Sequence, residues 1–307
     1  MKQLNRPLIG FIGQGWIGKN YSDDFERRGY SVVRYAKEEP FIHCKEAIAT
    51  CDIVFIAVPT PTTPEGFDSS IIRHVIKCVG KGKIAVIKST VLPEMTKSIQ
   101  EENPDIFVMH SPEFLSEATA AHDAANPDRN IIGIPKDTAI YKEKAELVMS
   151  VLPPAAYSKI CDSTSAELIK YGRNVLGYFR IMFTNMLYDL AQTTSADWEA
   201  IREAMSADPD NGPKYMKPVH KTGRGAGGHC FIKDFAAFSL MYKEHVGDAL
   251  GNSILDSLEQ KNLDLLLSSK KDLDLLEDVY GKALVQNTLS DTVSPDFFLK
   301  FGRKQGI

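Results

Sequence analysis

The chain has 307 residues, 43% of them hydrophobic and 25% charged, with a formal net charge of -4. That is the composition of a soluble globular protein with one large or two medium domains. It offers no clustered basic face for nucleic acid and no apolar run near the ~20 residues that span a bilayer.

The N-terminus runs almost directly into a strand-and-turn signal, without a signal peptide's long apolar stretch. Six runs in the first half then read as buried strands: 8–13 (LIGFIG), 31–36 (SVVRYA), 52–58 (DIVFIAV), 83–90 (KIAVIKST), 106–111 (IFVMHS) and 130–134 (NIIGI). They are apolar, β-branched and bounded by turn residues. Helical stretches such as 17–28 and 68–79 fit between them. The alternation predicts an α/β fold, a Rossmann-type parallel sheet with helices on both faces. From Ser163 the texture changes: 164–193 and 196–206 read as helices, 207–229 as a Pro/Gly-rich loop, and the chain from 231 as helical again, with leucines at helical spacing in 254–267 and 273–284. The division expected is 1–162, a dinucleotide-binding domain, and 163–307, an all-helical dimerisation domain carrying a cysteine loop.

Gly13-Gln14-Gly15-Trp16-Ile17-Gly18 is a GxGxxG that ends a predicted strand and opens a predicted helix. In that context Gly13 permits the tight turn, Gly15 lets the backbone approach a pyrophosphate, and Gly18 lets helix and strand pack closely. The helix N-terminus, with Trp16 and Ile17 in its first turn, offers N–H groups and the positive end of the dipole to the phosphates. The carboxylate that holds the ribose of NAD normally ends the second strand. Here that position falls near Ala36, with Arg34 and Lys37 beside it and Glu38 and Glu39 following. A missing acid with Arg34 and Lys37 added predicts weak discrimination between NAD and NADP, or a preference for NADP, unless Glu38 does the acid's work and selects NAD.

The five cysteines are Cys44, Cys51, Cys78, Cys161 and Cys230. An odd count without a CxxC fits a reduced, cytoplasmic setting. Cys230 follows the glycine-rich stretch 223–228 and has His229, Lys233 and Asp234 as neighbours. Nearby cations favour a thiolate nucleophile, although the same segment also reads as a structural cysteine beside a turn. No metal-ligand pattern stands out.

Six blocks in order, over roughly residues 8–265, resemble the UDP-glucose/GDP-mannose dehydrogenase family: GQGWIG; VPTPTTPEGFDSS (58–70); KSTVLPEMT (88–96); SPEFLSEATAAHDAANPDRNIIG (111–133); AELIKYGRNVL (166–176); and GGHCFIKD (227–234). The resemblance implies that Cys230 adds to an aldehyde intermediate and forms a thiohemiacetal, then a thioester. It implies that Glu113 activates the water that hydrolyses the thioester, helped by Thr90, and that Lys170 and Asn174, on one helical face, donate to the developing oxyanion. Asp234 takes part in proton transfer during alcohol oxidation. Val58, Pro59, Thr60, Thr90, Glu117 and Lys233 join the fingerprint turn in the cofactor-binding set. The substrate implied is a sugar or nucleotide sugar, and the assembly a homodimer.

The chain departs from that pattern in places. Only about forty residues follow Lys270, and they read as helix and polar loop, so a second α/β domain for the nucleotide is expected to be absent. Ser111 replaces an asparagine, Ala118 a glycine, and Asp210 stands where the family usually has a sugar-contacting arginine. Two other readings remain: a two-electron β-hydroxyacid-type dehydrogenase of similar layout, and a non-catalytic dinucleotide-binding subunit.

Overall fold

Each of the six predicted apolar runs forms a strand in the computed structural model, which describes residues 6–283 and 285. In chain order the elements are β1 (Ile9–Ile12), α1 (Trp16–Arg27), β2 (Val32–Tyr35), β3 (Ile53–Ile56), the hairpin β4 (Thr62–Thr63) and β5 (Gly66–Phe67), α2 (Ser70–Val75), β6 (Ile84–Ile87), α3 (Met95–Glu102), β7 (Phe107–His110), α4 (Ala120–Ala125), β8 (Arg129–Ile134), α5 (Ala139–Val151) and β9 (Tyr157–Asp162). The chain then turns helical: α6 (Ser163–Thr193), α7 (Trp198–Ala207), a ribbon of β10 (Val219–His220) and β11 (Gly223–Arg224), α8 (Gly228–His245), α9 (Ala249–Ser268) and α10 (Leu273–Tyr280). The sequence reading of the tail beyond residue 285 lies outside the described residues. No helix among the described residues is long and apolar enough to cross a membrane.

Two compact units emerge. One holds the chain up to Thr60 together with Asp68–Lys170; the other holds Pro61–Phe67 and the chain from Tyr171. The texture change read at 162/163 marks the start of α6, whereas the units divide within that helix.

The first unit is built on a seven-stranded sheet of order β2-β1-β3-β6-β7-β8-β9. β1, β2, β3, β6 and β7 are parallel, but β8 pairs antiparallel with β7, and β9 parallel with β8. The expected Rossmann-type parallel sheet is present, with one antiparallel step toward its far edge. An antiparallel neighbour needs no crossover, and the segment between β7 and β8 carries only the short α4. β9 escaped notice because it is an edge strand without a buried residue. The central strands IGFI, IVFI and IAVI are buried along their whole length, as strands covered on both faces must be. Gly133 on β8 sets where α6 starts: a Cβ there would stand 2.6 Å from Cβ of Ala166. Asp162 then caps α6, accepting from the Ser165 amide at 2.9 Å.

Glu167, fully buried on α6, caps α3 from a distance. Its carboxylate accepts from the amides of Glu94 and Thr96 at 2.7 and 2.8 Å and from the Thr96 hydroxyl at 2.5 Å. Burial pushes this carboxyl up to about 7 against the pull of those donors. A raised folded-state value means the native state keeps a proton that the unfolded chain has lost. The stability this group contributes is therefore complete below the unfolded value and lost as pH rises through about 7. Relative to Glu167→Gln, the protein should lose about 2–3 kcal/mol between about pH 5 and pH 8 in urea unfolding; parallel pH profiles would contradict this.

In the second unit Val175, Tyr178 and Met182 of α6 pack with Phe235 of α8 and with Leu255 and Leu265 of α9. The Tyr178 and Phe235 rings stack at 3.8 Å. Ile232, Leu266 and Leu276 centre a neighbouring cluster that binds α10 to α8 and α9.

Candidate active site

The fingerprint turn fits a dinucleotide for reasons visible atom by atom. Gly13 has φ +92°, and a Cβ on it would meet the Ala57 carbonyl oxygen at 2.2 Å; a Cβ on Gly18 would meet the Gly13 carbonyl oxygen at 1.8 Å. Around Gly15, by contrast, nothing lies within 4 Å of such a Cβ. α1 starts at Trp16 with Gly15 as N-cap, no side-chain cap and no acid in its first turn. Its amides and dipole are therefore available to a pyrophosphate. Trp16 is 52% exposed, and Ile17 is partly buried against the sheet core. The loops after β3 and β6 are tied together: the Val58 amide donates to Ser89 Oγ at 3.0 Å, and Thr60 Oγ1 donates to the Thr90 carbonyl at 2.8 Å. Pro59 is exposed between them. All of this lies at the carboxyl ends of β1, β3 and β6, where strand order reverses and open α/β sheets take their ligands.

At the ribose end Ala36 is buried. Arg34 is not available as expected. Its guanidinium donates to Asp23 at 2.7 Å and to Glu26 at 3.0 Å, both on α1. It ties helix to strand, and its charge is already balanced by two carboxylates. Lys37 and Glu38 are exposed. The double change Asp23→Asn with Glu26→Gln should therefore improve NADP affinity by about tenfold, or about 1.4 kcal/mol, and leave NAD affinity nearly unchanged. Dissociation constants from fluorescence titration check it; no gain for NADP would show that Arg34 does not face the ribose.

Still in the first unit, Glu113 and Lys170 form a buried ion pair. Lys170 Nζ lies 2.6 Å from Glu113 Oε1 and donates also to the Glu113 carbonyl at 2.8 Å. The Leu115 amide donates to the other carboxylate oxygen at 2.9 Å. Thr90 is buried, and Glu117 is exposed. Sequence reasoning missed Lys88, although a lysine ending the apolar run IAVI was a signal. It is fully buried, with Nζ 3.1 Å from Ser111 Oγ and 4.4 Å from the Tyr21 ring centroid. Burial brings its ammonium down to about 8, with Glu113 opposing the shift. Ser111, noted as a departure from the family pattern, is thus the partner of a second buried cation. His110 beside them is driven down to about 3 by burial and by Lys88, and so stays neutral.

The second unit gathers the other predicted groups on α6 and α8. Asn174 donates to Asp234 Oδ2 at 2.6 Å, and Lys233 Nζ lies 2.6 Å from Asp234 Oδ1. Asn174 and Asp234 are buried, and Lys233 is partly so. Lys170 thus bonds within the first unit, to Glu113, and Asn174 within the second, to Asp234. Cys230 is exposed in the first turn of α8, whose N-cap is Gly227. The N-terminal turn of a helix stabilises an anion such as a thiolate. No disulfide joins any of the five cysteines. Two of the glycines before Cys230 are tightly packed. A Cβ on Gly223 would stand 2.4 Å from Ser269 Oγ, and one on Gly227 would stand 2.0 Å from Asp272 Oδ2. They are small because the turn after α9 presses on them. Among the described residues no group of His, Cys, Asp or Glu could hold a metal ion.

Residues 37–149 match the model of the UDP-glucose/GDP-mannose dehydrogenase family's NAD-binding domain, and residues 164–263 match its central domain. The chain is 31% identical over 297 residues to a UDP-glucose 6-dehydrogenase of Rickettsia bellii, an alignment covering 92% of this chain and 64% of that protein. It is 32% identical over 218 residues to the UDP-glucose 6-dehydrogenase of Caenorhabditis elegans, covering 64% and 44%. The chain thus spans about half to two thirds of the length of such curated relatives. In fold it resembles a UDP-glucose dehydrogenase from the archaeon Pyrobaculum islandicum (TM-score 0.71, 24% identity, 92% of this chain and 73% of that one). It also resembles 3-hydroxyisobutyrate dehydrogenase of Mycobacterium tuberculosis (TM-score 0.62, 16% identity, 84% and 96%).

Proposed function

Because the chain belongs to the UDP-glucose/GDP-mannose dehydrogenase family, we propose that it oxidises a primary alcohol of a nucleotide sugar, UDP-glucose-like or related, to the carboxylate through Cys230. In this reading residues 1–162 bind the dinucleotide, and residues 163–307 carry the cysteine loop and the subunit contact. The observation that carries it is the setting of Cys230: exposed, in the first turn of α8, and followed one turn later by Asp234, which is bonded to Lys233 and to Asn174.

NAD held at the fingerprint turn would supply the hydride acceptor that both oxidation stages need. The chain's own groups do the rest. Asp234, its carboxylate held by Asn174 and Lys233, is the acceptor for the alcohol proton. Cys230 adds through Sγ to the aldehyde carbon, and Lys170 and Asn174 stabilise the oxygen that gains charge. After the second oxidation Glu113, with Thr90, directs water at the thioester carbon; the C–S bond breaks and the Cys230 thiol is restored. Trp16, Ile17, Val58, Pro59, Thr60, Glu117 and Lys233 are the further residues that would hold the cofactor. An exposed nucleophilic thiol needs a reducing setting, consistent with a cytoplasmic location.

The second reading, a two-electron dehydrogenase of a β-hydroxyacid, draws on the likeness in fold to 3-hydroxyisobutyrate dehydrogenase. A panel of UDP-sugars, GDP-mannose, simple sugar alcohols and β-hydroxyacids, followed by absorbance of the reduced cofactor, tests both. Turnover confined to β-hydroxyacids would sink the first reading.

A homodimer through the helical region belongs to the same proposal. Leu176, Phe183 and Leu190 recur at seven-residue spacing on α6 and are 62%, 50% and 59% exposed, with Met186 beside them at 44%. Apolar side chains two turns apart form one seam of the kind that a second helix covers. Light scattering should give twice the chain mass for the wild type and the single-chain mass for Leu176→Glu with Phe183→Glu. A monodisperse wild-type monomer at micromolar concentration would contradict the dimer.

A further inference from the structure

The loop leading into α8 rests on a turn that lies beyond the central-domain match, which ends at residue 263. α8 begins after Gly227, which has no side chain to cap it. The cap comes instead from Asp272, whose Oδ2 accepts from the Gly228 amide at 2.7 Å. Next to it Lys271, buried, donates from Nζ to the Gly225 carbonyl at 2.9 Å and reaches the Gly223 carbonyl at 3.4 Å. Asn262 brackets Ala226, accepting from its amide at 2.6 Å and donating to its carbonyl at 3.1 Å. The turn itself is unusual. Lys270 and Asp272 have φ of +53° and +52° without being glycine, a backbone state that side chains disfavour and that persists only where its surroundings require it. A Cβ on Gly227 would overlap Asp272, so sequence and turn fit each other on both sides of the contact.

We propose that Asp272, seated by Lys271, is a positioning residue for Cys230: it fixes the first turn of α8 and so holds the thiol at the helix terminus. The inference rests on the proposed function only in calling Cys230 the nucleophile. A free helix start frays, because its first amides lack partners. Pinning Gly228 keeps the amides around Cys230 in helical order, where they stabilise a thiolate. Cys230 is already exposed, so loosening the turn gains the thiol no access; it only removes that stabilisation.

The test compares Asp272→Ala with Asp272→Asn, since both lack the carboxylate's charge and only asparagine keeps an oxygen for the Gly228 amide. Labelling by iodoacetamide, read peptide by peptide in a mass spectrometer well below both melting temperatures, gives the rate at Cys230. The expected result is labelling at least about threefold slower in the alanine variant, with asparagine restoring it. Equal or faster labelling in the alanine variant overturns the inference, whatever the melting temperatures do. Should Asp272→Ala fail to fold, Asp272→Ser, too short to reach the amide, takes its place under the same criterion. The readout is thiol reactivity rather than turnover, so loss of the proposed function, judged from Cys230→Ala, is a separate result.

Discussion

Cys230→Ala should abolish carboxylate formation, by at least about a thousandfold, or about 4 kcal/mol in transition-state stabilisation, while binding of NAD stays within about twofold. In the proposed reaction the thiol forms the bond that commits the aldehyde to a second oxidation, and alanine offers no atom for it. The fingerprint turn belongs to the other compact unit, so dinucleotide binding has no reason to change. Cys230→Ser, with a poor nucleophile and a poor leaving group, should stall at the aldehyde or at a covalent intermediate. Iodoacetamide should label Cys230 before the other cysteines, and substrate should protect it. Burial raises Cys51 to about 11, helped by Asp52, and raises Cys78 and Cys161 as well, the latter with help from Asp162. Carboxylate made at the wild-type rate by Cys230→Ala would leave the two-electron reading in its place.

Lys170→Met should be the most destabilising single change in the site, at about 3–5 kcal/mol, and should also suppress turnover. The side chains of Lys170 and Glu113 are 3% and 6% exposed. Removing the ammonium leaves a buried carboxylate that has lost its direct partner, with Lys88 nearby. Breaking one partner costs more than replacing both, so Lys170→Met with Glu113→Gln should recover more than half of the lost stability without recovering activity. Urea unfolding of the two single variants and the double variant measures the coupling. A loss below about 1 kcal/mol for Lys170→Met, the scale of a surface pair, would show that the pair does not hold this part of the site together.

What could be read from the residues follows from burial. The runs IGFI, IVFI and IAVI are buried end to end, so their apolar, β-branched character announced them. β9 is exposed along most of its length, and nothing in YSKICD distinguishes it from a loop. The reversed direction of β8 was invisible because strand polarity is set by connections and not by composition. The family resemblance named Glu113, Lys170, Asn174, Cys230 and Asp234 as candidates, but nothing in it announced their bonds: the Lys170 ammonium is held by a glutamate fifty-seven positions away. Arg34 looked available in sequence because the two carboxylates that engage it, Asp23 and Glu26, lie on the preceding helix. Gly223 and Gly227 must be small because of Ser269 and Asp272, nearly fifty residues downstream, which no local pattern announces.

The stoichiometry of reduced cofactor to carboxylate tests the central claim most directly. A nucleotide sugar oxidised to completion by the purified chain with excess NAD should yield two equivalents of reduced cofactor for each carboxylate, with no aldehyde accumulating. One equivalent for each substrate consumed, with the product left at the aldehyde or ketone level, would contradict covalent oxidation through Cys230.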